Sequence, residues 1–159
     1  FELVQGAHLV IKAPPIKGVY FLEARQDGRG VFVMPWRGRV LVGTTESRYD
    51  GEPGAVTPGP EEIAYLQQVL QDYFPAMPGQ ISAQFAGLRV LPAGGEGFRQ
   101  RSREVVVHRA ASCPRILSIY GGKLTNYRST AEKVIGMLRP QLPARKRIAA
   151  TADLKLQIN

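Results

Sequence analysis

Two arginines, a histidine and a glycine–lysine turn carry the chemical promise of this sequence. Arg89 stands in Gly87-Leu88-Arg89-Val90-Leu91-Pro92, a lone charge among apolar neighbours in a strand-like run. A guanidinium in that setting is either paired or lines a cavity, because burying it unpaired costs on the order of several kcal/mol. Arg103 falls near the next strand-like run. Two guanidiniums on neighbouring strands would make a fork-like clamp for a phosphate or carboxylate. The plain alternative is that Arg89 pairs with an internal acid and Arg103 is solvated.

The segment Tyr120-Gly121-Gly122-Lys123-Leu124-Thr125-Asn126-Tyr127-Arg128 ends a strand-like run, passes through two glycines and opens a helical pattern. Free N–H groups and the positive end of a helix dipole there would hold an anion or an electron-rich ring edge. Lys123 adds a point charge and Thr125 a hydroxyl. It is not a Walker A loop, since Leu117 takes the first glycine position and Leu124 follows the lysine. His8 follows Gly6-Ala7 in a short apolar run and is a candidate base, although such a histidine is more often structural. His108 sits among arginines. No G-x-S-x-G elbow is present to make a hydrolase triad. Cys113 precedes a proline without an obvious base and reads as inert, and Glu61-Glu62 read as helix-end charges.

These residues need elements to hold them. His8–Lys12, Val19–Ala24, Val31–Met34 and Val40–Val42 read as strands of an antiparallel meander, with a hairpin loop at Pro35-Trp36-Arg37-Gly38-Arg39. Asp50–Pro60, rich in Pro and Gly, reads as a loop. Pro60 with Glu61-Glu62 suits a helix start, and Ile63, Leu66, Leu70 and Tyr73 give it one apolar face. Three further strands are expected over Ile81–Leu91, Glu104–Arg109 and Arg115–Tyr120. A last helix is expected directly after Gly121-Gly122, with Leu124, Tyr127, Ala131, Val134, Ile135 and Leu138 on one face, stopped by Pro140. This order gives an α+β fold, a largely antiparallel sheet with flanking helices.

The chain has 159 residues, enough for one domain with a real core, and its 17 Gly and 12 Pro favour many turns over a helix bundle. The single cysteine excludes an internal disulfide, and with only His8 and His108 beside it no structural zinc site or other metal is expected. One cysteine also fits a reducing compartment, so a cytoplasmic location is expected. The net charge of +8 gathers in Arg99, Arg101, Arg103, Arg109 and Arg115 and again in Arg139, Arg145, Lys146 and Arg147. A basic anion- or nucleic-acid-binding module without catalysis is the alternative function. Against nucleic acid, the aromatics are not interleaved with the basic runs. No apolar run is long enough to span a membrane, and the start at Phe1 reads as a cut through a longer polypeptide. G-x-G pairs occur at Gly28-Arg29-Gly30 and Gly95-Glu96-Gly97, without a third glycine or a strand-to-helix setting. The main fold for any dinucleotide would therefore lie outside this chain.

Four segments in order carry a resemblance: Gly6-Ala7-His8-Leu9-Val10-Ile11; Phe32-Val33-Met34-Pro35-Trp36 through Val42-Gly43-Thr44-Thr45-Glu46; Ala86-Gly87-Leu88-Arg89-Val90-Leu91-Pro92 with Ser102-Arg103-Glu104; and Gly121-Gly122-Lys123-Leu124-Thr125-Asn126-Tyr127-Arg128. Over residues 1–139 the chain resembles the FAD-dependent glycerol-3-phosphate dehydrogenases, within the D-amino-acid-oxidase-like flavoenzymes. The resemblance implies a substrate-covering domain over 1–120, a glycine turn and helix over 121–140 that return to a missing FAD-binding domain, and a basic tail over 141–159. It implies FAD as cofactor, a small phosphorylated substrate, hydride transfer to the flavin, and a quinone acceptor at the membrane. Arg89 and Arg103 match substrate arginines, and His8 and Lys123 match catalytic positions. Gly122, Lys123, Leu124 and Thr125 match flavin contacts. The family's Arg-Pro-Leu is here Arg89-Val90-Leu91, and its double threonine is Thr125-Asn126. The excised segment alone is expected to be inactive, and the basic tail could dock the parent on anionic lipid.

Overall fold

The computed structural model describes residues 1–14, 16–77, 79–93, 104–146 and 148–155. The chain forms two compact units, Phe1–Gln100 and Arg101–Asn159. The strand pair that the sequence places with the covering domain therefore shares a unit with the glycine turn and the last helix.

In the first unit, β1 (Glu2–Ile11) is the central strand. On one edge it pairs with β4 (Arg39–Gly43) through its second half and with β5 (Ser47–Tyr49) through its first half. On the other edge it pairs along its whole length with β6 (Ile81–Leu91). β2 (Tyr20–Glu23) and β3 (Gly30–Trp36) extend the sheet beyond β4, and every pairing is antiparallel. The expected meander thus holds for β2–β3–β4 but not for β1, which skips β2 and sits beside β4. The expected strand at His8–Lys12 also begins much earlier, at Glu2. The reason is pairing: Leu3, Val4 and Gln5 are held between β5 and β6, which local composition does not reveal. The β3–β4 turn puts Arg37 at φ 48° and Gly38 at φ 74°, the left-handed pair whose twist suits a two-residue hairpin.

Successive residues of β1 point to opposite faces. Ala7, Leu9 and Ile11 join Val31, Val33, Val40 and Val42 on one face, and α1 (Pro60–Tyr73) covers it with Leu66, Val69 and Leu70. Each of these larger side chains contributes about 1.5–3 kcal/mol by leaving water. Ile63 packs at the margin of this core as its spacing requires, while Tyr73 stays on the rim and donates its hydroxyl to the Glu23 carbonyl at 2.6 Å. Pro60 opens the helix, and Glu62 accepts the Gly59 N–H at 3.0 Å, satisfying one orphan donor of the first turn.

The opposite face carries Val4, Gly6, His8 and Val10 of β1. The register sets Phe21, Phe32, Gly43, His8 and Phe85 in one row across five strands. α1 does not cover this face, and Phe21, Phe32 and Phe85 are exposed on it.

In the second unit β7 (Val105–His108) and β8 (Ser118–Gly121) form an antiparallel pair, followed by α2 (Tyr127–Leu138). The helix does not start directly after the glycines. Gly121 and Gly122 both adopt positive φ and Lys123 is extended, so a single 3₁₀ turn at Leu124–Asn126 comes first. Leu124, expected on the helix face, lies in that turn and is 89 % exposed. No residue of α2 is buried within the described structure.

Candidate functional site

β6 sets Arg89 beside Val4 of β1. Its side chain then crosses β1 at Gly6, where there is no side chain to block it. A methyl at Gly6 would lie 2.8 Å from Arg89 Nη2 and would collide with the Thr44 hydroxyl. At the far end Nη1 donates to Glu46 Oε1 at 2.8 Å and Nη2 to the Thr45 carbonyl at 3.0 Å. Glu46 is 8 % exposed and Arg89 32 %. Of the two possibilities raised by the sequence, Arg89 therefore has the internal acid. That acid fixes the fork in place while, among the described residues, two of the five N–H groups a guanidinium offers are taken.

His8 lies on the same face. Its ring stacks on Phe85 with centroids 5.0 Å apart and planes 6° from parallel. It also lies over Gly43, the cross-strand neighbour, where any Cβ would strike the imidazole. Burial lowers the His8 pKa from its ordinary 6.5, and the Arg89 cation lowers it further, against a raising contact with the Gly6 backbone. Among the described residues the buried Nδ1 has no hydrogen-bond partner. The ring is therefore neutral at pH 7 and able to accept a proton.

Beneath this face sits a second arrangement that the sequence did not disclose. Glu62 of α1 accepts hydrogen bonds from the Thr45 hydroxyl at 2.5 Å, the Ser47 hydroxyl at 2.8 Å, the Gly59 N–H and the Gln5 amide. Thr45 Oγ1 in turn accepts the Ala7 N–H at 2.8 Å. Burial alone would push the Glu62 carboxyl up, but the bonds from Thr45, Gly59, Ser47 and Gln5 together hold it below its ordinary value. The Gly-Pro-Glu-Glu start of α1 signalled a helix cap, not a polar hub. Glu46 gave no local sign that it would meet Arg89, 43 positions away.

Gly122, Lys123, Leu124 and Thr125 lie together in the second unit, at the end of β8. Gly122 needs both its positive φ of 81° and its missing side chain, since a Cβ would come 2.5 Å from Val105 Cγ2. An open groove of about 420 Å³ runs beside the turn, with Val105, Ile119, Tyr127, Val134 and Ile135 along it. Neither the Lys123 ammonium nor the Thr125 hydroxyl has a partner among the described residues. Arg103 lies outside the described residues, so the proposed pairing of two arginines has only its Arg89 half on view.

The first unit is thus an antiparallel sheet with one face covered by α1 and an imidazole and a braced arginine on the other, an α+β fold. The family of FAD dependent oxidoreductases (DAO) matches residues 1–128, and the chain belongs to it. Among its relatives, the glycerol-3-phosphate dehydrogenase of Pseudomonas aeruginosa is 34 % identical over 146 residues, covering 87 % of this chain and 28 % of that protein. The aerobic glycerol-3-phosphate dehydrogenase of Escherichia coli is 31 % identical over 145 residues, covering 87 % of this chain and 29 % of that one. The crystal structure of the glycerol-3-phosphate dehydrogenase from Bacillus halodurans complexed with FAD superposes with a TM-score of 0.72 at 26 % identity, over 88 % of this chain and 27 % of that chain. The amino acid oxidase NikD shares the fold alone, with a TM-score of 0.61 at 14 % identity. The chain thus spans under a third of the length of the dehydrogenases it matches.

The residues present fit a flavin. Gly121 and Gly122 make a tight turn at positive φ, and among the described residues neither Lys123 nor Thr125 beside it has a partner. A cation and a hydroxyl at such a turn suit the electron-rich edge of the ring.

Proposed function

We propose that the chain is the substrate-covering part of an FAD-dependent glycerol-3-phosphate dehydrogenase. What supports this reading most is the sheet face on which Arg89, held across Gly6 by Glu46, lies close enough to His8 to lower its pKa. Arg89 takes the phosphate of glycerol 3-phosphate with its remaining N–H donors, as a planar fork that arrives already oriented. Arg103 supplies a second guanidinium. His8, neutral at pH 7, accepts the proton of the substrate hydroxyl. FAD, when bound, would supply the hydride acceptor for the carbinol carbon. Loss of that proton and hydride turns the secondary alcohol into the ketone of dihydroxyacetone phosphate. Lys123 would offer positive charge, and Gly122, Leu124 and Thr125 backbone and hydroxyl contacts, to a bound flavin. A quinone takes the electrons onward. The enzyme works at the cytoplasmic side of the membrane as a peripheral protein, with the exposed Arg145 and Lys146 drawn to anionic lipid.

The test is Arg89→Ala in the full-length flavoprotein, assayed with glycerol 3-phosphate and with glycerol. Loss of the equivalent of one charge-assisted hydrogen bond, about 1.5–3 kcal/mol, is expected to raise KM for the phosphorylated substrate by about ten- to a hundredfold. FAD content and the weak use of glycerol stay as they were. Equal losses with both substrates would show that Arg89 does not read the phosphate.

A further inference from the structure

Thr45 faces two ways. Its hydroxyl lies in a buried chain of hydrogen bonds, accepting from the Ala7 N–H of the central strand and donating to Glu62 at the start of the covering helix. Its carbonyl looks out on the opposite face and accepts from Arg89 Nη2 at 3.0 Å. The next residue, Glu46, holds Nη1. The two groups that seat the guanidinium are therefore adjacent in the chain, and both hang from a residue whose own position is set on the far side of the sheet.

The donors converging on Glu62 explain why a carboxylate stands there. Gln5 and Gly59 offer N–H groups to one oxygen, and Thr45 and Ser47 offer hydroxyls to the other. A carboxylate accepts all four. An amide accepts on one side only, and its NH₂ on the other side would force the Thr45 hydroxyl to reverse. We propose that Glu62 and Thr45 are positioning residues for Arg89, forming a brace that runs through the sheet from the start of α1 to the phosphate-binding guanidinium. This rests on the reading of Arg89 as the phosphate ligand. The brace acts by fixing where the Thr45 carbonyl and Glu46 stand.

The experiment uses the full-length flavoprotein with Thr45→Val, Thr45→Ser, Glu62→Gln and Arg89→Ala, and with the Thr45→Val/Arg89→Ala pair. Thr45→Val and Glu62→Gln are expected to raise KM for glycerol 3-phosphate about three- to tenfold with kcat within about twofold, the size of one disturbed hydrogen-bonded contact. Thr45→Ser, which keeps the hydroxyl, restores the wild-type KM. In the Arg89→Ala background Thr45→Val adds nothing further, because its route to the substrate is gone. A Thr45→Val effect of equal size with and without Arg89 would overturn the brace. So would a lower Tm with no change in KM. If Arg89→Ala alone leaves KM unchanged, the phosphate reading falls and takes the brace with it. If Arg89→Ala raises KM while Thr45→Val and Glu62→Gln do not, only the brace falls. Should Glu62→Gln yield no holoenzyme, the Thr45 pair decides the matter.

Discussion

The Arg89 guanidinium rests where the side chain of residue 6 would be, with Nη2 only 2.8 Å from the point a Gly6 Cβ would occupy. The reach of the arginine across β1 depends on that missing atom.

Gly6→Ala is therefore expected to push Arg89 off Glu46 and Thr45 and to crowd Thr44. Overpacking of this kind costs about 1–3 kcal/mol. The urea midpoint of the full-length protein should fall accordingly, and KM for glycerol 3-phosphate should rise in the same variant. Gly54→Ala, at an exposed position with open space around it, is the control that should move neither.

The His8 imidazole protonates less readily folded than unfolded, since its pKa is lowered from 6.5 chiefly by burial and then by Arg89. Below 6.5 the unfolded chain binds more protons than the folded one, so stability declines as pH falls through that value and levels off once the folded ring also protonates. Above 6.5 this contribution is fully present. Urea titrations between neutral pH and about pH 5 should show the slope, and His8→Gln should flatten it. The acid limb of kcat/KM should vanish in the same variant, together with most of the activity.

Glu62 titrates in the same sense, in a more acidic range. Its folded pKa is lowered from 4.5, so its contribution is present above 4.5 and is lost as pH falls through the folded value. Acid unfolding monitored by circular dichroism should begin at higher pH in Ser47→Ala, which removes one donor from the carboxylate.

Leu66 is wholly buried between α1 and the sheet. Leu66→Ala should cost about 2–5 kcal/mol in a denaturant titration, as cavities in such cores do. Because the core face and the Arg89 face are separated by the sheet, KM of the surviving folded enzyme should stay close to wild type.

Legibility followed the range over which each feature is determined. β6 begins and ends where its sequence does, because its apolar run is bracketed by Pro78 and Pro92. α1 announced itself through Pro60 and two acids. The first half of β1 did not, since Glu2, Gln5 and Gly6 break any apolar pattern and only its two partners make it a strand. β5, three residues long, offers no period to detect. At the site, Arg89 and His8 stood out because each is the wrong type for its neighbourhood. Their supports did not: Glu46, Thr45 and Glu62 are ordinary surface residue types until distant segments meet.

The place of β1 at the centre of its sheet also governs how the unit is born. β1 is translated before its partners in this unit, yet Glu2 pairs with Leu91, so that edge waits for β6, about 80 residues later in the chain. Pairings that close so late are slow, and an open edge recruits other chains meanwhile. Within this unit, the interval between the emergence of β1 and that of β6 is thus when an open edge calls for a chaperone.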